Sequence, residues 1–101
     1  KDYPRLGSVV GYTMIHALAA GIRKAGSTDT EKLITAFRGL TFDSPYGKQS
    51  FRAIDHQSTM GAFVGRTRNE QGKGVMVEAR YQDGAAFQPG NDEVRKLRAA
   101  D

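Results

Sequence analysis

Asp55-His56 is the only place in the sequence where an acid and an imidazole adjoin. Such a pair could orient a general base, or give two ligands to a metal ion. A base needs a nucleophile in reach, and a metal needs a third ligand. Neither stands at useful spacing, and neighbouring residues in a turn point apart. The expectation is that Asp55 closes an Asx-type turn and that His56 bonds to nearby backbone. The second histidine, His16, falls on the polar side of a helical stretch with no partner at i+4 to share a metal. It is read as a solvated or interface residue. Asp43-Ser44 and Ser50 have no histidine at motif spacing, and Gly-x-Ser-x-Gly is absent. Gly61-Ala62-Phe63-Val64-Gly65 and Gly72-Lys73-Gly74 do not open a helix after a strand, so they are not phosphate loops. Tyr3, Tyr12, Tyr46, Phe63 and Phe87 do not interleave with basic residues as a single-strand-binding platform would. No catalytic constellation remains, and the chain is not read as an enzyme.

The elements that carry these residues change character along the chain. Lys1 to Gly7 is irregular, broken by Pro4 and Gly7. Ser8 is placed as the cap of a helix running to Ala25, with Gly26 ending it. Val10, Met14, Ile15, Leu18, Ala19 and Ile22 make its apolar face, while Thr13, His16, Ala20, Arg23 and Lys24 take the other side. Thr28 and Glu31 have capping-box spacing for a second helix. Leu33, Ile34 and Phe37 form its apolar side, and Gly39 suits a left-handed C-terminal position. Ser44-Pro45-Tyr46-Gly47 is a turn, Gln49 to Arg52 a short strand, and Ala53 to Gln57 a second turn. Ser58 to Arg68 and Gly74 to Tyr81 alternate as strands of an antiparallel hairpin, with Val75, Val77, Ala79 and Tyr81 on one face. Asn91 is placed as the cap of a last short helix, and Arg98 to Asp101 as a frayed tail.

With 101 residues, the chain holds at most one small domain with a modest core. It has no cysteine, hence neither disulfides nor thiolate metal sites. Its apolar runs fall short of the ~20 residues that cross a bilayer. Lys1 to Arg5 does not read as a signal peptide, and the chain is expected to be a mature or truncated product. Lys and Arg total 15 against 11 Asp and Glu, a mild +4 that is scattered rather than striped. No nucleic-acid partner is therefore expected.

Three segments carry a family resemblance. The first is Gly11-Tyr12 opening an Ala-rich helix that ends Arg23-Lys24-Ala25-Gly26, then Ser27-Thr28-Asp29. The second is Phe42-Asp43-Ser44-Pro45-Tyr46-Gly47, followed by Phe51-Arg52 and Asp55-His56-Gln57. The third is the Gly61 to Gly65 strand. Together, in order and spacing, they resemble the C-terminal part of a periplasmic solute-binding protein of the branched-chain amino acid ABC-transporter type. The match weakens from Ala85 onward.

The resemblance implies an α/β fold class: a partial type I periplasmic-binding-protein fold, in which a helical hairpin precedes an antiparallel strand pair that crosses between lobes. It places residues 1–57 in the first lobe. It gives residues 58–101 a hinge crossing near His56 to Gly61, the strand pair that completes the second lobe, and the tail. It implies a receptor several times this length, whose lobes close on a ligand by hinge motion. Val9, with Ser8 and Gly11 beside it, would line the ligand pocket from a loop just before the first helix. The implied partners are a small solute (an amino acid or related amide or carboxylate), the membrane permease of an ABC importer, and the remainder of the chain or a second copy to cover apolar faces. The implied location is periplasmic, and no cofactor is implied. The alternative is a ligand-binding sensor domain of the same fold in a signalling or regulatory protein.

Overall fold

A computed structural model describes residues 5–98. Two helices come first: α1 (Leu6–Ala25) and α2 (Thr30–Phe37). Two antiparallel hairpins follow, β1 (Thr41–Ser44) with β2 (Gly47–Ser50), and β3 (Ala62–Glu70) with β4 (Lys73–Gln82). A 3-10 turn (Gly84–Phe87) and α3 (Asn91–Leu97) finish the described chain. The expected residues Lys1 to Pro4 and Ala99 to Asp101 lie outside the described residues.

The helix ends follow their punctuation, with shifts at the caps. Helix α1 opens two residues before Ser8. Arg5 holds the cap position without capping the helix through its side chain, and the Ser8 N–H donates to the Arg5 carbonyl at 2.9 Å. Gly26 ends the helix in the left-handed region (φ 61°), its N–H on the Ile22 carbonyl. For α2 the cap is Asp29 rather than Thr28. Its carboxylate accepts from the Lys32 N–H at 3.1 Å, and Ser27 Oγ accepts from the Asp29 N–H. A carboxylate at the positive end of a helix serves better than a hydroxyl one residue earlier. Gly39, just after α2, is left-handed as expected (φ 66°). Asn91 is the first residue of α3 rather than its cap; Gly90 precedes it without a side-chain bond.

Burial on α1 differs from the expected pattern. The buried residues are Thr13, Ala17 and Gly21, spaced four apart on one stripe. Small side chains win this stripe because they let the backbones approach. A methyl group on Gly21 would stand 2.7 Å from Phe37 Cζ. The large apolar residues stay outside: Met14 and Ile15 are each more than half exposed. The core is a patch of Ala17, Leu40 and Phe42 with Ala20, Phe37 and Phe51 packed against it.

Residues 41–50 form a complete hairpin rather than one short strand. Ser44 Oγ accepts from the Tyr46 N–H and donates to the Gly47 carbonyl, which fixes the Pro45-Tyr46 turn. Phe42 and Gln49 are register partners on the buried side. Strand β3 begins at Ala62, not Ser58. Ser58 instead makes an isolated bridge to Phe51. At the far end Gln71 and Gly72 both have positive φ (51° and 77°), the geometry of a two-residue turn that suits strand twist. Asn69 Oδ1 accepts from the Gly72 N–H. A bulge at Glu78-Ala79 faces Gly65, since Val64 pairs with Arg80 and Arg66 with Val77. The extra residue flips the alternation. Tyr81 therefore opposes Phe63 and leaves the face that carries Val75 and Val77.

Between the hairpins the chain is tied into a knot of hydrogen bonds. Arg52 Nε donates to Asp55 Oδ1 at 3.0 Å, and Nη2 donates to Asp55 Oδ2. Arg52 Nη1 reaches the Pro89 carbonyl at 2.7 Å. Arg98 donates to the Ile54 carbonyl and Gln88 to the Ser58 carbonyl. The segment after β4 thus returns to the crossover. Asp55 Oδ1 also accepts from the Gln57 N–H, closing the expected Asx turn. Its hydrogen bonds to Arg52 lead in holding the carboxyl at about 2, below its ordinary 3.8, against the opposing effect of burial. At the outer edge of the knot, residues 59–61 and 82–84 pass with backbones touching. A methyl on Gly61 would stand 1.7 Å from the Gln82 carbonyl oxygen, and one on Gly84 would stand 2.4 Å from that of Met60.

Gly61→Ala should lower the stability of the full-length protein by about 1–3 kcal/mol. Gly7→Ala, on a helical site with open space around it, should raise it by about 0.5–1 kcal/mol; denaturant melts compare the two. Asp55 has a depressed folded-state pKa, so its contribution is full above the unfolded value and is lost as pH falls. Stability should drop between about pH 4 and pH 2. Asp55→Asn should lower the melting temperature at neutral pH and flatten that acid limb.

Candidate functional site

Ser8, Val9 and Gly11 lie within α1, not in a loop before it, because Leu6 and Gly7 already continue the helix. Ser8 is exposed, while Val9 and Gly11 are half-buried. Their neighbour Val10 lines an apolar groove of about 390 Å³ that runs along α1 beside Thr13, Met14 and Ala17. Phe37, Phe42, Phe51 and Met60 form its opposite wall. Thr13 Oγ1 is buried there with no hydrogen-bond partner. Both amide atoms of Gln49, 2% exposed, are also unpartnered.

Asp55 and His56 do not act as a pair. The Asp55 side chain is 5% exposed and committed to Arg52. His56 takes a positive φ of 57°, and its N–H donates to the Arg52 carbonyl at 2.7 Å. The expected side-chain bond to backbone is not seen at Nε2, which is buried without a partner. The ring instead lines a hollow against Leu33, Ile34, Phe37 and Phe51; packing on α2 wins over the hydrogen bond. His16 is exposed and stacks on Tyr12 at 4.1 Å between ring centres. Among the described residues no three His, Asp or Glu side chains gather as a metal site would need. No described helix is long and apolar enough to cross a membrane.

One constellation escaped the sequence reading. The rings of Tyr46, Phe63 and Tyr81 meet, with centroids 5.4 Å apart for Tyr46–Phe63 and 5.3 Å for Phe63–Tyr81. Tyr46 and Tyr81 are 5.7 Å apart. Strict alternation puts Tyr81 with the β4 valines, and the bulge brings it opposite Phe63. A glutamate at a left-handed position has no sequence signature, so the signal was absent.

A sequence-family profile described as periplasmic binding protein matches residues 1–73. An ABC-type branched-chain amino acid transporter from Rhodopseudomonas palustris CGA009 has a solved structure 33% identical to this chain, with a TM-score of 0.64. The match covers 73% of this chain and 21% of that one. An ABC transporter from Rhodopseudomonas palustris is 37% identical with a TM-score of 0.56, covering 66% of this chain and 20% of its own. No curated protein matches. The chain spans about a fifth of the length of these structures. Its helix pair and antiparallel strand pairs are a part of their fold, and the expected resemblance is met in the segments that carried it. The chain belongs to the periplasmic binding protein family.

Proposed function

We propose that this chain is part of a two-lobed extracytoplasmic receptor that binds a small solute, an amino acid or related amide or carboxylate, and delivers it to the permease of an ABC importer. The observation that carries the reading is the family match over residues 1–73, joined to two structures named for ABC transport at 33% and 37% identity. In this reading residues 1–57 belong to the first lobe, and the β3–β4 hairpin contributes to the second. The protein binds without reacting, and binding free energy goes into lobe closure, which the permease recognises.

Val9, with Ser8 and Gly11, is proposed to line the pocket at the start of α1. The first turn of that helix carries no acidic residue, so its positive end suits a carboxylate. Val9 leaves room for a bulkier solute than a large aromatic residue would. The apolar groove along α1 and the uncovered Met14 and Ile15 support a further partner, the remainder of the chain.

A panel of amino acids, their amides and aromatic acids tests the reading on the full-length protein. At least one should raise the melting temperature, by an amount that grows with its concentration; no shift across the panel would overturn the reading. For the solute that binds, Val9→Trp should weaken affinity tenfold or more, about 1.4 kcal/mol, with little change in the unliganded melt. Unchanged affinity would remove Val9 from the pocket.

A further inference from the structure

The β3–β4 hairpin stands away from the rest of the chain. Every residue of β3 is exposed, and the molecule extends over 54 × 34 × 18 Å. The hairpin leaves the knot at Met60-Gly61 and returns at Gln82–Gly84, where the backbones touch without side chains between them. Before the crossing, residues 50–59 are tied on both sides. The Thr59 N–H donates to the Ser50 carbonyl, and Arg52 and Ser58 bond to Pro89 and Gln88. These bonds hold residues 50–59 to the segment that follows β4, and the arm joins them through the crossing. Two bonds span it, Gly84 N–H to the Thr59 carbonyl and Gly61 N–H to the Tyr81 hydroxyl.

Beyond the crossing, one side-chain cluster joins the arm to the preceding hairpin. Tyr46 comes from the β1–β2 turn, and Phe63 and Tyr81 come from the base of the arm. Phe63 and Tyr81 share a face because of the Glu78 bulge, where a non-glycine residue sits at φ 53°. A left-handed glutamate is unfavourable, and such strain persists where it aims a side chain. We infer that Tyr46, Phe63 and Tyr81 form an aromatic clasp that sets the angle of the β3–β4 arm about the Gly61/Gly84 crossing. Phe63 meets both tyrosines edge to face, an arrangement that adds attraction beyond burial. Phe63 remains 49% exposed, so the clasp can open without dismantling a core. The consequence for affinity rests on the receptor reading given above. A released arm has more conformations, and solute binding must again remove them. These are positioning residues; they need not touch the solute.

Spin labels at Lys48→Cys, beside the turn, and Lys73→Cys, at the tip of the arm, report the angle in the full-length protein without any solute. The clasp predicts one narrow distance distribution in the otherwise unsubstituted protein and in Tyr46→Phe. Tyr46→Ala should broaden and shift it. Phe63→Ala, which breaks the same contact from the other side, should do likewise, and the double variant should add little. Ala variants that keep the narrow distribution would overturn the clasp. L-leucine then separates the two ideas. The receptor reading adds that Tyr46→Ala weakens leucine binding roughly threefold to tenfold, the worth of one or two ring pairs. Should leucine leave the unsubstituted protein unmoved, the receptor reading fails for that solute, while the solute-free distances still decide the clasp.

Discussion

Phe51 is the contact on which the two halves of this chain depend. Its ring stacks on Phe42 and meets Phe37 edge-on. Its N–H donates to the Leu40 carbonyl, and it bridges to Ser58. One residue thus joins α2, the first hairpin and the crossover. It is also the rim of two open hollows, one along α1 and one under α2. The core is built around a side chain that is itself only half covered.

The constraint has a measurable size. The chain exposes 7919 Å² of surface, where a compact monomer of 11.0 kDa would expose about 5,600 Å². Its radius of gyration is 17.1 Å, against about 13 Å for a compact chain of this length. The excess is not polar decoration: Leu6, Val10, Met14, Ile15 and Leu18 on α1 and Phe63, Val64 and Met76 on the arm are all exposed. A helix packs against its neighbours through Thr13, Ala17 and Gly21 and turns its larger residues outward. Those residues are left exposed and would need another surface to cover them. The receptor reading supplies one, in the four-fifths of its relatives' length that this chain does not match.

What the sequence made legible was punctuation and period. Gly26 and Gly39 marked the helix ends, Ser44 to Gly47 marked a turn, and alternation located β3 and β4 to within a few residues. The misses share a cause, since each depended on which partner a residue pairs with or packs against rather than on local pattern. Strand β1 is four residues long, too short to show a period, and is held by β2. Thr13 was read as polar because its burial depends on Gly21 and Ala17 in line with it. The return of residues 84–98 depends on Arg52 finding the Pro89 carbonyl. The bulge at Glu78 depends on Gly65 opposite. Of the candidate site, the Asx role of Asp55 was readable because it is local; the aromatic clasp was not, because its three rings come from distant segments. Placement of Val9 in a loop failed because the helix starts earlier than its serine.

In the proposed receptor these apolar faces are covered by segments that this chain does not itself provide. The most direct measurement is analytical ultracentrifugation of the isolated 101-residue chain, paired with calorimetry. The expected result is self-association that deepens with concentration and no cooperative melting of a monomer. A monodisperse monomer that melts in one sharp, concentration-independent transition would contradict it.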